Sequence, residues 1–411
     1  MEQFGALNIN LILLTLGGLV LGLGLMSGIL KEKLLLTNPI IAMLVGVLFG
    51  PDVLNWLNLN EWGSPEGILK EAARIAIAIQ VMGVALRLPP RYLFNHPRPM
   101  SIQLGLVMPL MWLVSSGLTA WILGLSVWNA LLVGAIITPT DPVVSTSIVT
   151  GRLAKEYLPH RIRNLISAES GINDGLAYPF VLLPILFLTR SPQEAFWHWL
   201  IDALIIEVGL AIMLGALMGY VAGRLLHWAE DRETIDRQSF LAYTVALALF
   251  VLGSTEILGS DSILAVFVAG IAFDNTTNAS ERAQEEKVQE AVDCFFTIYI
   301  FVLFGSALPW QGWVDLGWSG IMLAIAILVL RRLPAMLTLR PLYGRRWHLS
   351  DIAFIGWFGP VGVAAVFYAM LAEIETGLGE IWTISSLMIT VSIVCYGITS
   401  VPLTRLYGRS N

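Results

Sequence analysis

The chain is short of charge. Asp, Glu, Lys and Arg make up 13% of its 411 residues, about half the ~25% of an average soluble domain. That shortage excludes a polar, solvated surface wrapped around a single core. Cysteine is also scarce. Cys294 and Cys395 both fall in apolar runs, which gives no support for a disulfide framework and offers no metal-ligand spacing. The five histidines, His96, His160, His198, His227 and His348, stand singly near the ends of apolar runs, as interfacial residues do. No stretch reads as a separate soluble domain, a polar linker or a low-complexity tail. The first residues carry no basic cluster and no clear small-residue cleavage site, so the first apolar run is expected to stay uncleaved. The formal net charge of −6 decides little, because position outweighs total in such a chain.

What is present in excess is apolar sequence, 56% of the residues. It falls into blocks of about 17–25 residues, the length needed to cross ~30 Å of hydrocarbon. Thirteen spans are predicted, roughly 8–30, 34–50, 67–87, 101–124, 127–150, 160–189, 195–228, 238–255, 260–274, 286–308, 315–338, 350–373 and 379–404. The expected fold class is therefore an all-α polytopic membrane protein, with residues 1–411 forming one transmembrane domain. Placing the N-terminus outside puts every Lys and Arg except Lys70, Arg74 and Arg190 in the alternate, cytoplasmic loops or at the C-terminus. The excess of cytoplasmic basic residues thus predicts N-terminus out and C-terminus in. The 14 tryptophans, among them Trp56, Trp62, Trp310 and Trp313 near span ends, fit an interfacial belt.

Two spans are interrupted. Span five contains Thr138-Pro139-Thr140-Asp141-Pro142, and span twelve contains Gly359-Pro360-Val361-Gly362. Proline removes a backbone donor and clashes with the preceding turn, and the freed backbone groups at membrane depth need protein, water or an ion as partners. Spans five and twelve are equivalent members of two six-span halves, 1–6 and 8–13, that start on opposite sides of the membrane. Such inverted repeats with paired broken helices point to a transport site near the midplane.

Span six carries the polar residues that such a site needs. In Ile166–Pro179, ISAESGINDGLAYP, an acid, a hydroxyl, an amide and a second acid interrupt an apolar helix. Ser170, Asn173 and Asp174 share one helical face by their three- and four-residue spacing, with Glu169 on its edge. Charged groups at mid-bilayer cost several kcal/mol or more, so these must face protein, water or an ion. Hard monovalent cations prefer such oxygen ligands.

Thr138–Phe180, TPTDPVVSTSIVTGRLAKEYLPHRIRNLISAESGINDGLAYPF, resembles the signature of the monovalent cation:proton antiporters of the NhaP/NHE branch, most of all their fungal plasma-membrane sodium/proton members. Further similar stretches are RIAIAIQVMGVALRLP (Arg74–Pro89), ILGSDSILAVFVAGIAF (Ile257–Phe273), EEKVQEAVDCFFTIYIFVLFGSALPW (Glu285–Trp310) and GWFGPVGVAAVFYAML (Gly356–Leu371). The resemblance covers almost the whole chain. It implies a secondary antiporter that is not an enzyme and has no cofactor, exchanging Na+, Li+ or K+ for H+ across a cell membrane as a homodimer, without nucleic-acid partners. Carried over by position, the ion site would use Thr140, Asp141, Glu169, Ser170, Asn173 and Asp174, with Asp174 exchanging protons for cations. Gly359 and Pro360 would support it from the second broken helix. Asp141 could instead tether the crossing. Asn173 in place of a second aspartate is associated with electroneutral exchange.

Two departures matter. Many relatives carry an arginine at the place of Val361, where the resemblance would have it pair with the span-six glutamate. Glu169 is therefore expected to lack a partner and to be neutral or to lean on the bound cation. The fungal proteins often show two aspartates where this chain has Asp261-Ser262, which leaves Asp261 an accessory site or an interface residue. Arg74 is expected to snorkel outward or to form an internal ion pair; Asp202 and Glu207 in span seven are weaker candidates. The rival functions are a cation channel, a sodium-coupled solute symporter and an intramembrane aspartyl protease. The last needs YD and GxGD motifs, whereas the contexts here are TDP and INDG.

Overall fold

A computed structural model describes residues 14, 17–22, 37–142, 148–232, 237–276 and 279–410, and every element assigned there is helical. The predicted first span with Lys31 and Lys33 falls almost wholly outside the described residues, as do residues 143–147 of the fifth. In chain order the principal helices are α1 (Asn38–Phe49), α2 (Pro65–Arg87), α3 (Pro97–Leu123), α4 (Val127–Ile136), α5 (His160–Thr189), α6 (Pro192–Ala229) and α7 (Ala242–Ile257). They continue with α8 (Ser262–Asp274), α9 (Ala291–Ser306), α10 (Trp310–Tyr343), α11 (Leu349–Trp357), α12 (Val363–Thr376) and α13 (Gly379–Arg409). Among the described residues five helices, α3, α5, α6, α10 and α13, are long and apolar enough to cross a bilayer. The second, fifth, eighth, ninth and tenth predicted spans contain shorter apolar helices, the third is α2, with charge in its first turns, and the twelfth is the pair α11 and α12.

The reason α2 sits at the centre is legible in its composition. From Ala76 to Leu86 every residue is buried, and a helix that is apolar all round must be covered on all sides. Its alanines and Gly83 keep it narrow, so α8, α9 and α12 all pack against it, as small residues allow in membranes. The opposite case is α6. Only 17% of its most apolar window is buried, and α10 buries only 22% of its own. Ile212, Met213 and Leu217 on α6 and Trp318 and Ile325 on α10 point outward, forming apolar faces of the kind that lipid covers.

Local signals set the helix ends. Ser64 accepts from the Gly67 amide at 3.1 Å and Pro65 opens α2, the arrangement favoured at an N-terminus. Asp261 caps α8 through Leu264 N at 3.0 Å. Asp351, fully buried, gathers three elements. It accepts from Arg161 Nη2 at 2.8 Å, from the His348 amide at 3.0 Å and from the Tyr407 hydroxyl at 2.5 Å. This ties the starts of α5 and α11 to the end of α13.

Where α1 crosses α9, Gly46 lies on the Val302 carbonyl and Gly305 on the Met43 carbonyl, backbone against backbone. A methyl group has no place there. Gly305→Ala is expected to cost about 1–3 kcal/mol through overpacking, read as a lower melting temperature of the detergent-purified protein.

Candidate ion-exchange site

The site is built at two broken helices. Helix α4 stops at Ile136, and the chain continues through Thr138-Pro139-Thr140-Asp141 without helical structure. Thr138 compensates locally, its hydroxyl donating to the Gly134 carbonyl at 2.7 Å. Helix α11 stops at Trp357, and α12 begins at Val363 after the irregular Phe358–Gly362. The two interruptions meet. The Asp141 amide donates to the Pro360 carbonyl at 2.8 Å, and Asp141 Oδ2 accepts from the Val363 amide at 2.6 Å. Gly362 is required at the contact, because a Cβ there would fall on the Asp141 carboxylate. The Val361 amide is satisfied by Ser392 Oγ at 2.7 Å.

Charge completes the crossing. Asp141 stands at the N-terminus of α12, the positive end of that half-helix. Arg331, buried in α10, donates from its two terminal nitrogens to the Ile137 and Gly359 carbonyls. These carbonyls close the C-terminal, negative ends of α4 and α11. An anion at the one kind of end and a cation at the other offset the half-helix dipoles, where lipid would offer no partner.

Helix α5 presents its polar face to this crossing. Asn173 Oδ1 accepts from the Thr140 amide at 3.1 Å, and its Nδ2 donates to Thr140 Oγ1 at 2.8 Å. Thr140 Oγ1 also lies 3.1 Å from Ser170 Oγ. Thr140, Ser170 and Asn173 thus form one connected group, and the amide of Asn173 is fixed by two bonds. Asp174 differs. It is 1% exposed, and among the described residues neither carboxylate oxygen has a hydrogen-bond partner. Its own backbone carbonyl accepts from the Tyr368 hydroxyl at 2.5 Å, which anchors α5 to α12 beside the carboxylate. An ionised carboxylate without partners cannot stay buried at small cost, so this one must take up a proton or a cation.

Glu169 corrects the sequence reading. Its expected isolation is contradicted. Arg332 on α10 holds it with two bonds, Nη1–Oε1 at 2.5 Å and Nη2–Oε2 at 2.7 Å, and both side chains are buried. Gln103 Nε2 donates to the same carboxylate at 2.9 Å, and the Tyr343 hydroxyl holds Gln103 at 3.0 Å. The partner comes from span eleven, so the loss of an arginine at Val361 leaves no vacancy. Arg331 and Arg332 also lie inside the protein rather than in a cytoplasmic loop. The missed signal was their place inside the apolar run 315–338, where a pair of cations requires acids or carbonyls nearby.

The other candidates separate from the cluster. Pro360 contributes its carbonyl to Asp141, and Gly359 makes room for the Arg332 side chain while its carbonyl binds Arg331. Arg74 forms an ion pair, with Glu71 at 2.7 Å and Glu256 at 3.3 Å, but both carboxylates are about half exposed (47% and 54%), so the pair is not an internal one. Asp202 pairs with His198 at an exposed position. Asp261 and Glu207 line a different cavity.

Comparison with known proteins extends over almost the whole chain. The family model described as sodium/hydrogen exchanger, transmembrane, matches residues 17–406. A Na(+)/H(+) antiporter of Saccharomyces cerevisiae is 35% identical over 418 residues, covering 94% of this chain and 42% of its own length. A Na(+)/H(+) antiporter of Schizosaccharomyces pombe is 32% identical over 428 residues, covering 98% of this chain and 91% of its own. The chain thus spans about half the length of several curated relatives that it matches. The solved structure of the sodium proton antiporter MjNhaP1 from Methanocaldococcus jannaschii superimposes with a TM-score of 0.72 at 20% identity, over 97% of this chain and 98% of that one. That likeness shows a shared fold.

The Glu169–Arg332 pair yields a prediction. Removing one partner of a buried pair strands the other and costs about 3–5 kcal/mol. Glu169→Gln and Arg332→Met should each lower the melting temperature strongly, and the double variant should be less destabilised than the sum of the two. Val361 and Arg331 line the same small cavity, so Val361→Arg would set a second cation beside the first. It should be damaging with or without Glu169.

Proposed function

The chain belongs to the sodium/hydrogen exchanger family, and we propose that it is a secondary antiporter exchanging Na+, or Li+ or K+, for H+ by alternating access. The observation that carries this reading is Asp174: a buried carboxylate with both oxygens unpartnered among the described residues, beside the crossing of two broken helices. Protonated, Asp174 is neutral and its burial is tolerated. Deprotonated, it needs a cation in contact. Proton and cation therefore compete for one group, and a conformation that exposes Asp174 alternately to each side converts a gradient of one into movement of the other.

The surrounding residues support this role. The Ser170 and Asn173 oxygens on the α5 face that carries Asp174, and Thr140 bonded to both from the broken helix, offer neutral oxygen ligands of the kind a hard monovalent cation takes. Asn173, clamped by Thr140, adds no charge. Glu169 is neutralised by Arg332, and Asp141 is engaged at the α12 N-terminus. Only Asp174 is left to change its charge state, which favours one-for-one, electroneutral exchange. Asp141 serves chiefly to hold the crossing and lends its negative field to the cation.

The same reading includes thirteen spans, two inverted six-helix halves around span seven, N-terminus out and C-terminus in, in the cell membrane as a homodimer. The halves are supported by the matched breaks at Thr138–Pro142 and Phe358–Gly362.

Two measurements test it. In proteoliposomes with an internal pH dye, Asp174→Asn should abolish cation-driven pH changes while the protein remains folded and inserted. Wild-type-like exchange by this variant would sink the reading. Apparent cation affinity should also weaken as pH falls, by up to about tenfold per unit below the site pKa when one proton excludes one ion. An affinity independent of pH would instead favour separate proton and cation sites.

A further inference from the structure

A second polar cavity, of about 170 Å3, opens between the end of α7, the start of α8, and Tyr178 and Tyr368 of α5 and α12. Its charges do not balance. Arg74 is held between Glu71 and Glu256, and Lys70 lies 3.6 Å from Glu71. Glu256 also accepts from Ser262 Oγ at 2.8 Å. Two carboxylates are thereby matched by two cations. Glu207 and Asp261 remain, Glu207 bonded by the Tyr178 hydroxyl. Asp261 is 5% exposed, and while its Oδ1 caps α8 through Leu264 N, its Oδ2 has no hydrogen-bond partner among the described residues. A buried anionic oxygen facing a polar cavity with no donor is the mark of a missing cation.

The donor set says which kind. Among the described residues no three His, Cys, Asp or Glu side chains gather closely enough to hold a metal ion as a chelate. Two carboxylates, a phenol and serine hydroxyls in a space that fits roughly five waters at ~30 Å3 each suit a monovalent cation that keeps part of its water. Divalent and transition ions require more protein ligands or stricter geometry.

The cavity also adjoins Asp174. Tyr368 lines it while its hydroxyl donates to the Asp174 carbonyl. Leu264, whose amide Asp261 caps, packs on Gly175 so closely that a Cβ on that glycine would lie 2.7 Å from the Leu264 Cα. Tyr368 and Leu264 thus connect the lining of this cavity to the backbone of α5 at Asp174 and Gly175.

We propose that Asp261 and Glu207, with Tyr178, form a second monovalent-cation site in series with Asp174, where an ion waits on its way to or from the exchange site. The part of this proposal that concerns transport rests on the assignment of Asp174. The existence of the site does not.

Binding is read first, without transport. The purified full chain is melted in rising NaCl against choline chloride at constant ionic strength. Asp174→Asn should retain a sodium-dependent rise in melting temperature, and Asp174→Asn/Asp261→Asn should lose it. Asparagine caps helices as well as aspartate does, so α8 should survive the change; Glu207→Gln, which leaves the cap untouched, provides the second variant. Loss of the whole sodium effect in Asp174→Asn, or its persistence in both double variants, would overturn the proposal. With Asp174 intact, Asp261→Asn should raise the half-saturating sodium concentration about tenfold, the loss expected for one charged contact. An unchanged value would remove the site from the transport path. Should Asp174→Asn exchange ions normally, the assignment of Asp174 fails, while the sodium-dependent melting of the Asp261 variants still decides the second site.

Discussion

Two helices that stop inside a membrane leave amides and carbonyls that lipid cannot satisfy, and everything at the site depends on how these are paired. Asp141 binds the first amide of α12 from the opposite broken helix. Arg331 reaches the last carbonyls of α4 and α11 from a third element. Each charge sits against a half-helix end of opposite sign, so the crossing is electrically closed by protein alone. Asp141 consequently reads as a structural anion as much as an ion ligand. The Thr140 amide and hydroxyl, positioned by that crossing, then hold Asn173 and Ser170 of α5 in register.

Partners, rather than burial, separate the acids of span six. Glu169 and Asp174 are equally inaccessible. Glu169 is met by a bidentate guanidinium and a glutamine amide, and a pair so complete has no reason to exchange its charge for an ion. Asp174 is met by no donor among the described residues. The same low-dielectric surroundings that make the first a fixed structural element underlie the exchange proposed for the second. Asp261 repeats this condition at a second cavity, with one oxygen used as a helix cap and the other without a hydrogen-bond partner among the described residues.

Close packing and openness are arranged side by side. Gly362 at the crossing and Gly175 against Leu264 leave no room for a methyl group, whereas the space beside Asp261 is large enough for several waters.

Much of this was written in the sequence. Apolar blocks of membrane length, the prolines and glycines at 138–142 and 359–362, and the three- and four-residue spacing of Ser170, Asn173 and Asp174 depend on composition and helical period, which are local properties. They determined an all-helical membrane chain, two broken helices and the polar face of α5. What tertiary structure decided were the partners. Glu169 was matched to an absent arginine at Val361, yet its cation arrives from Arg332, 163 positions along the chain. Arg331 was read as a loop charge, although it closes both broken helices. The same holds for Arg74, whose choice between lipid interface and ion pair turned on Glu256 of α7. Which buried charge meets which is fixed by the packing of distant helices, and a long flexible side chain such as arginine reaches far enough that sequence position and periodicity leave its partner open.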